Sequence, residues 1–169
     1  GAGTKMHLDI EYFYNGSPRE NYSIEYKYFK EFYQKYADLE PYRTEWMVYD
    51  EELKFAGSID MVFENPDGTL QIYDWKRCKA ITKVNNWNKY STTAIIDHVP
   101  DTNYWHYSLQ LNTYKAILEK NYGKKVTDLY LVCLHPNNKN KSYQRIKVAD
   151  LQDDVKSLFE MRKTYLKGL

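Results

Sequence analysis

The sequence predicts an α/β fold of the α+β kind, with a mixed sheet covered by helices. Three observations predict it. Apolar residues recur at helical spacing at both ends of the chain and once in its middle. Two blocks between these stretches alternate with period two, and Asn65-Pro66-Asp67-Gly68 stands between two strand-like runs as a hairpin turn. The resulting order is two helices, three strands, a helix, two strands and a helix, a segregation typical of layered folds of this class.

Each element has its own signal. Residues 4–14 carry Met6, Ile10 and Phe13 on one stripe, and Asn15-Gly16 is a natural helix stop. Ser17-Pro18-Arg19-Glu20 reads as a cap and first turn, from which Ile24, Tyr28, Phe32 and Tyr36 carry a second helix to about residue 37. Pro41 closes that region. From Tyr42 the period changes to two, Trp46 and Val48 alternating against Glu45 and Met47. Strands over residues 54–64 and 69–77 flank the hairpin turn. Residues 78–103 are polar, lysine-bearing and proline-containing, and are expected to form a long connection with little regular structure. Helical spacing returns over 105–121, where Leu109, Tyr114, Ile117 and Leu118 offer a buried face and Gly123 a stop. Residues 126–134 and 142–148 read as strands and 151–166 as an amphipathic helix. One domain, residues 1–169, is expected, because a chain of 169 residues buries one core rather than two.

Composition removes several function classes. With 43% hydrophobic and 28% charged residues the chain has ordinary globular values, which excludes intrinsic disorder. The longest apolar run, residues 129–134, is far shorter than the roughly 20 residues of a spanning helix, so no membrane partner is expected. The first residues lack an apolar core and do not form a signal peptide. Cys78 and Cys133 lack CxxC neighbours, so neither a disulfide framework nor a zinc knuckle is indicated, and a reducing intracellular compartment is expected. A net charge of +1 makes no global case for a nucleic-acid partner. Local clusters do exist: Lys79, Lys83 and Lys89 in one stretch, and Lys139, Lys141, Arg145 and Lys147 in another. Each reads equally as a solvated loop.

Chemistry concentrates in the hairpin. Asp74 and Lys76, two apart on a strand, point the same way. Asp60 joins them in the one register that sets it opposite Asp74 across the turn. Two carboxylates and the carbonyl of Trp75 suit a hard cation such as Mg2+ or Mn2+. A lysine beside them can help hold a water as hydroxide and balance charge on phosphoryl oxygens. Asp-x-Lys alone is common on solvated strands. Three further features add weight. His7, in Gly3-Thr4-Lys5-Met6-His7, is a competent ligand when neutral, although a lone helical histidine is more often structural. Glu45 interrupts an aromatic and apolar strand, where simple exposure is an equal reading. Gln110 and Tyr114, four apart, share a helix face and can reach one phosphate or one lysine, with core burial as the plain alternative for Tyr114.

Taken in order, Gly-Thr-x-x-His, Gly-x-x-Asp, Asp-x-Lys and Gln-x-x-x-Tyr resemble the motif set of the RecB-like nucleases of the PD-(D/E)xK superfamily, together with their lambda-exonuclease-like relatives. The resemblance implies a restriction-endonuclease-like αβββαβ core with a central mixed sheet flanked by helices. It implies His7, Asp60 and Asp74 as side-chain metal ligands, Trp75 as a carbonyl ligand, and Lys76 as the catalytic lysine acting with Asp60 and Asp74. Gln110 and Tyr114 would position substrate and lysine, and Glu11 would support the histidine or a second metal. The implied activity is hydrolysis of DNA by metal-activated water, from ends or internally. An RNA endonuclease of the cap-snatching sort and an inactive nucleic-acid-binding module are the alternatives. Ile59-Asp60 replaces the superfamily's Pro-Asp, and Asp74 replaces Glu. Two cysteines exclude a four-cysteine iron–sulfur cluster within these residues. The chain starts just before His7, which suits a module fused to, or associated with, other replication or repair modules. Lys79, Lys83 and Lys89, interleaved with Trp87 and Tyr90, are expected to form a substrate-gripping lid.

Overall fold

The computed structural model describes residues 1–78 and 103–169. Helices α1 (Ala2–Tyr14) and α2 (Ile24–Lys35) precede strands β1 (Glu40–Asp50), β2 (Phe55–Glu64) and β3 (Leu70–Lys76). Helix α3 (Asn103–Asn121), strands β4 (Val126–Cys133) and β5 (Gln144–Lys147) and helix α4 (Gln152–Lys167) complete the expected order. The five strands form one sheet in the order β1-β2-β3-β4-β5. Its pairs are antiparallel except β3 with β4, so the sheet is mixed. A parallel neighbour needs a long crossover, and the chain between β3 and β4 provides it.

Central strand β3 is buried on both faces, which divides the core into two layers. Leu70 and Ile72 face Leu111, Ile117 and Leu118 of α3. Tyr73 and Trp75 face Met6 and Ile10 of α1 and Phe29 and Phe32 of α2. Aromatic residues dominate this second layer: Trp75 meets Phe32 edge-on at 5.3 Å and Phe29 at 5.5 Å. Such pairs add about 0.5–1.5 kcal/mol each beyond area burial, and they anchor the strand segment that carries Asp74 and Lys76. No helix among the described residues is long and apolar enough to cross a membrane.

Local chemistry explains most boundaries. The hairpin turn closes with Gly68 N–H donating to the Asn65 carbonyl at 2.9 Å, and Gly68 takes φ +87°, open to a residue without Cβ. Trp46 and Val48 are buried while Met47 and Tyr49 are exposed, as period two requires. Helix α2 departs from expectation by starting at Ile24, not near Ser17. Ser23 is the better cap, because its Oγ accepts from Tyr26 N–H at 3.2 Å while its own N–H donates to Asn21 Oδ1. Pro41 does not stand outside the sheet. It lies in β1, an edge strand, beside a register shift between Pro41 and Arg43, where a missing N–H is tolerated. The expected connection over 78–103 falls on residues 79–102, outside the described residues except at its ends, and so do Lys79, Lys83 and Lys89.

Candidate active site

The β2–β3 ladder runs from Glu64↔Leu70 to Met61↔Tyr73. One step further the same register sets Asp60 opposite Asp74. There the Asp60 carboxylate takes a strand hydrogen bond, with Trp75 N–H donating to Asp60 Oδ2 at 3.0 Å. Asp60 and Asp74 lie close enough for the charge of Asp60 to raise the pKa of Asp74. Lys76, on the same side of β3 as Asp74, sets its Nζ 2.8 Å from Asp74 Oδ2. From α1, His7 directs Nε2 to the Trp75 carbonyl at 2.6 Å and lies 3.3 Å from Asp60 Oδ2. Three elements thus converge at the C-terminal end of β3, on the seam between the two core layers.

Both ring nitrogens of His7 face carbonyl oxygens, Nδ1 meeting Gly3 O at 2.7 Å and Nε2 meeting Trp75 O at 2.6 Å. A carbonyl only accepts, so both ring nitrogens are placed to donate and the surroundings favour the charged form. Burial works against this charge. The hydrogen bond and charge of Asp60, with the Gly3 and Trp75 carbonyls, outweigh burial and raise His7 to about 9. Burial likewise opposes ionisation of Asp60, but bonds from His7 and Asp74, the His7 charge and the Trp75 N–H hold it below the usual range. Asp74 goes the other way: burial and the neighbouring Asp60 push it up to about 8 against the pull of Lys76. Lys76 overcomes its burial through Asp74, Asp60 and Tyr107 and is held above its ordinary value, a stable ammonium.

Such a group fits a hard divalent cation. Two neighbouring carboxylates repel when both ionise, and a cation between them relieves that repulsion. His7 Nε2, Asp60 Oδ2 and the Trp75 carbonyl meet within 2.6 to 3.3 Å. Among the described residues no three imidazole, thiol or carboxylate groups are spaced to ligate one ion as they stand. The donors are engaged with one another, so binding would exchange the His7–Trp75 contact for contacts to the ion.

Helix α3 supplies the far wall. Tyr114 is buried and raised in pKa by burial and by the charges of Asp74 and Asp60. Its ring lies against β2 at Gly57, where an added Cβ would stand 2.5 Å from Tyr114 Cε1. Gly57 is therefore the residue that admits Tyr114 beside the strand bearing Asp60. Gln110 is exposed at the rim. Sequence reasoning missed Tyr107, whose ring centroid is 4.1 Å from Lys76 Nζ. The available signal was its place three residues before Gln110 and seven before Tyr114, on their face of the helix. That signal is weak in a helix so rich in aromatics.

Glu11 and Glu45 stand beside this group rather than within it. With Gly3, Thr4, His7 and Leu8 they line a cleft of about 500 Å³ that opens next to His7. Glu45 adopts φ +45° within β1 and accepts from Ser58 Oγ at 2.8 Å. Glu11 is raised by burial and by the charge of Glu45. A larger hollow along α4, beside Met161 and Tyr165, contains neither a carboxylate pair nor a histidine.

The family model described as the PD-(D/E)XK nuclease superfamily matches residues 9–167, beginning just beyond His7. No curated protein matches the chain by sequence. Among solved structures, a crystal structure of a protein from Eubacterium rectale, provisionally named an exonuclease, is similar with a TM-score of 0.55 at 15% identity. The match covers 99% of this chain and 65% of that one, so the chain spans about two thirds of its neighbour's length, and a likeness at this identity is one of fold. The family match runs over nearly the whole chain, and the chain belongs to the PD-(D/E)XK nuclease superfamily.

Proposed function

We propose that this chain is a single catalytic module of the RecB-like branch that hydrolyses phosphodiester bonds in DNA with the help of Mg2+ or Mn2+. The observation that carries the reading is the meeting of Asp60, Asp74 and Lys76 with His7 over the Trp75 carbonyl. Held by His7, Asp60, Asp74 and that carbonyl, a divalent cation supplies Lewis acidity toward a phosphoryl oxygen and lowers the pKa of water. The protein's own groups do the rest. Lys76 is an ammonium 2.8 Å from Asp74, and it donates to the phosphoryl oxygens as negative charge grows on them. Tyr107 holds that ammonium against its ring face. Gln110, exposed on the face of α3 that carries Tyr114, offers its amide to the incoming backbone. Asp60, pinned by the Trp75 N–H, keeps one carboxylate oriented, and for a cation to be held there His7 Nε2 and Asp74 would each release a proton to solvent.

A digestion series tests this: end-labelled linear, circular, single- and double-stranded DNA and matched RNA, with Mg2+, with Mn2+ and with chelator. DNA cleavage supported by either metal and abolished by chelator is expected. The Lys76→Ala protein should bind metal as the parent does and cut on the order of 10²–10³-fold more slowly, the loss typical of one charge-stabilising donor. Full activity in that variant defeats the assignment of Lys76, and cleavage of RNA alone redirects the reading to an RNA endonuclease.

A further inference from the structure

Cys78 and Cys133 stand 55 residues apart in sequence, and both are free thiols. Tertiary structure brings them together. Cys133 closes β4 as the parallel partner of Lys76, and the next residue, Leu134, donates its N–H to the Lys76 carbonyl at 2.8 Å. Two residues beyond Lys76, Cys78 lies beside the end of β4, and Cys133 Sγ donates to the Cys78 carbonyl oxygen at 3.0 Å. Cys133 is fully buried and Cys78 half-buried. Buried Asn138 holds the inner sulfur in place, with Oδ1 3.5 Å from Sγ and Nδ2 donating to the Cys133 and Ser142 carbonyls.

We propose that Cys78 and Cys133 are an oxidation site: a peroxide converts them to an internal disulfide that slows the enzyme, and a thiol reductant reverses it. The Cys78 hydrogen bond, aided by the His135 backbone and Asn138, lowers Cys133 to about 6 against its burial. One sulfur attacks the peroxide O–O bond, leaving a sulfenic acid and one water. The other then displaces the hydroxyl as a second water and closes the S–S bond. The two thiols lose two electrons and two protons, and the peroxide is reduced to two waters. Closure draws the sulfurs to about 2.05 Å, well inside a thiol hydrogen bond. Because Cys133 is fixed in β4, the pull falls on residue 78. The path of the chain just after Lys76 sets that ammonium against Asp74 and Tyr107, so a shift there misplaces it. This consequence for rate rests on the nuclease reading; formation of the bond does not.

The test treats the full chain, with Mn2+ present, with hydrogen peroxide. It then reads intact mass, the number of alkylatable cysteines, and DNA cleavage before and after dithiothreitol. Expected are the loss of two hydrogens without dimers, no alkylation of either cysteine, and cleavage slower by roughly 10- to 100-fold, as for displacement of a catalytic group by about 1 Å, with full recovery on reduction. The Cys78→Ser protein should cut at the parent rate and ignore the peroxide. Persistent alkylation of both thiols, a sulfinic acid or an intermolecular dimer in place of the internal bond, a disulfide with unchanged cleavage, or equal inhibition of Cys78→Ser each overturn the proposal. If the reduced protein cuts nothing, the nuclease reading fails by itself, while mass and alkylation still decide whether the pair bonds.

Discussion

At the scale of single residues, two contacts around Lys76 and Tyr114 have sharp consequences. The 2.5 Å between a hypothetical Gly57 Cβ and the Tyr114 ring leaves no room for a methyl group. Gly57→Ala should therefore push Tyr114 from its place, destabilising the protein by about 1–3 kcal/mol and slowing DNA cleavage. Urea denaturation of Gly57→Ala alone and in combination with Tyr114→Ala measures the clash, and the second substitution should return much of the lost stability. A double variant no more stable than Gly57→Ala alone would show that the ring is not what the methyl group meets. For Tyr107 the expected effect is on rate. Replacing its ring with Leu removes a cation–π contact of about 0.5–2 kcal/mol, so kcat should fall roughly 3- to 30-fold with KM little changed, whereas Phe should retain it. Equal loss in Phe and Leu variants argues for the hydroxyl instead.

At the scale of elements, the far end of the sheet is tied down by a buried acid. Asp50, 1% exposed at the end of β1, accepts from Leu53 N–H at 2.8 Å, from Asn121 Nδ2 at 2.7 Å and from Lys120 Nζ at 2.9 Å. It thus caps the β1–β2 turn and moors the end of α3, the helix that carries Tyr107, Gln110 and Tyr114. Burial opposes its ionisation, but bonds from Asn121, Lys120 and Leu53 hold its pKa below the ordinary value. A carboxyl whose folded pKa lies below its unfolded one adds stability that is complete above the unfolded value, about pH 4, and is lost as pH falls through the folded value. Asp50→Asn should cost about 2 kcal/mol at neutral pH, and the gap to the parent should close on acidification below about pH 4. Urea titrations at stepped pH check this; a gap independent of pH would mean the carboxylate charge contributes nothing. Helix α2 shows the same scale from the side of sequence reading. The sequence reading placed its cap at Ser17, and the helix starts after Ser23 instead because Asn21 and Tyr26 lie where that residue's backbone and hydroxyl need partners.

Across the whole molecule, the site is assembled by the sheet's topology. Asp60 comes from β2, Asp74 and Lys76 from β3, His7 from α1, and Tyr114 with Tyr107 from α3, which crosses to make β4 parallel to β3. A ligand that joins these elements should stabilise the fold as a unit, by RT ln(1 + [L]/Kd), or about 2.7 kcal/mol at a hundredfold excess over Kd. Mn2+ should accordingly raise the thermal midpoint of the parent, and Asp60→Asn or Asp74→Asn should abolish that rise; scanning fluorimetry with and without metal decides it. An unchanged midpoint in the parent at saturating Mn2+ would speak against these residues as its ligands.

Sequence alone determined what depends on short range. Alternation along β3 put Asp74 and Lys76 on one side, and the Asn-Pro-Asp-Gly turn paired β2 with β3 so that Asp60 could join them in one register, which the structure adopts. Helical spacing of four put Gln110 and Tyr114 on one face of α3. Tertiary structure alone decided the contacts between residues far apart in the chain: Tyr114 on Gly57, Lys76 on Tyr107, His7 over the Trp75 carbonyl, and Cys78 beside Cys133. The reason is physical. Turn chemistry and side-chain alternation act within a few residues and leave a trace in local spacing, whereas the approach of α1, α3 and β4 to β3 is set by how whole apolar faces pack, which no local pattern records.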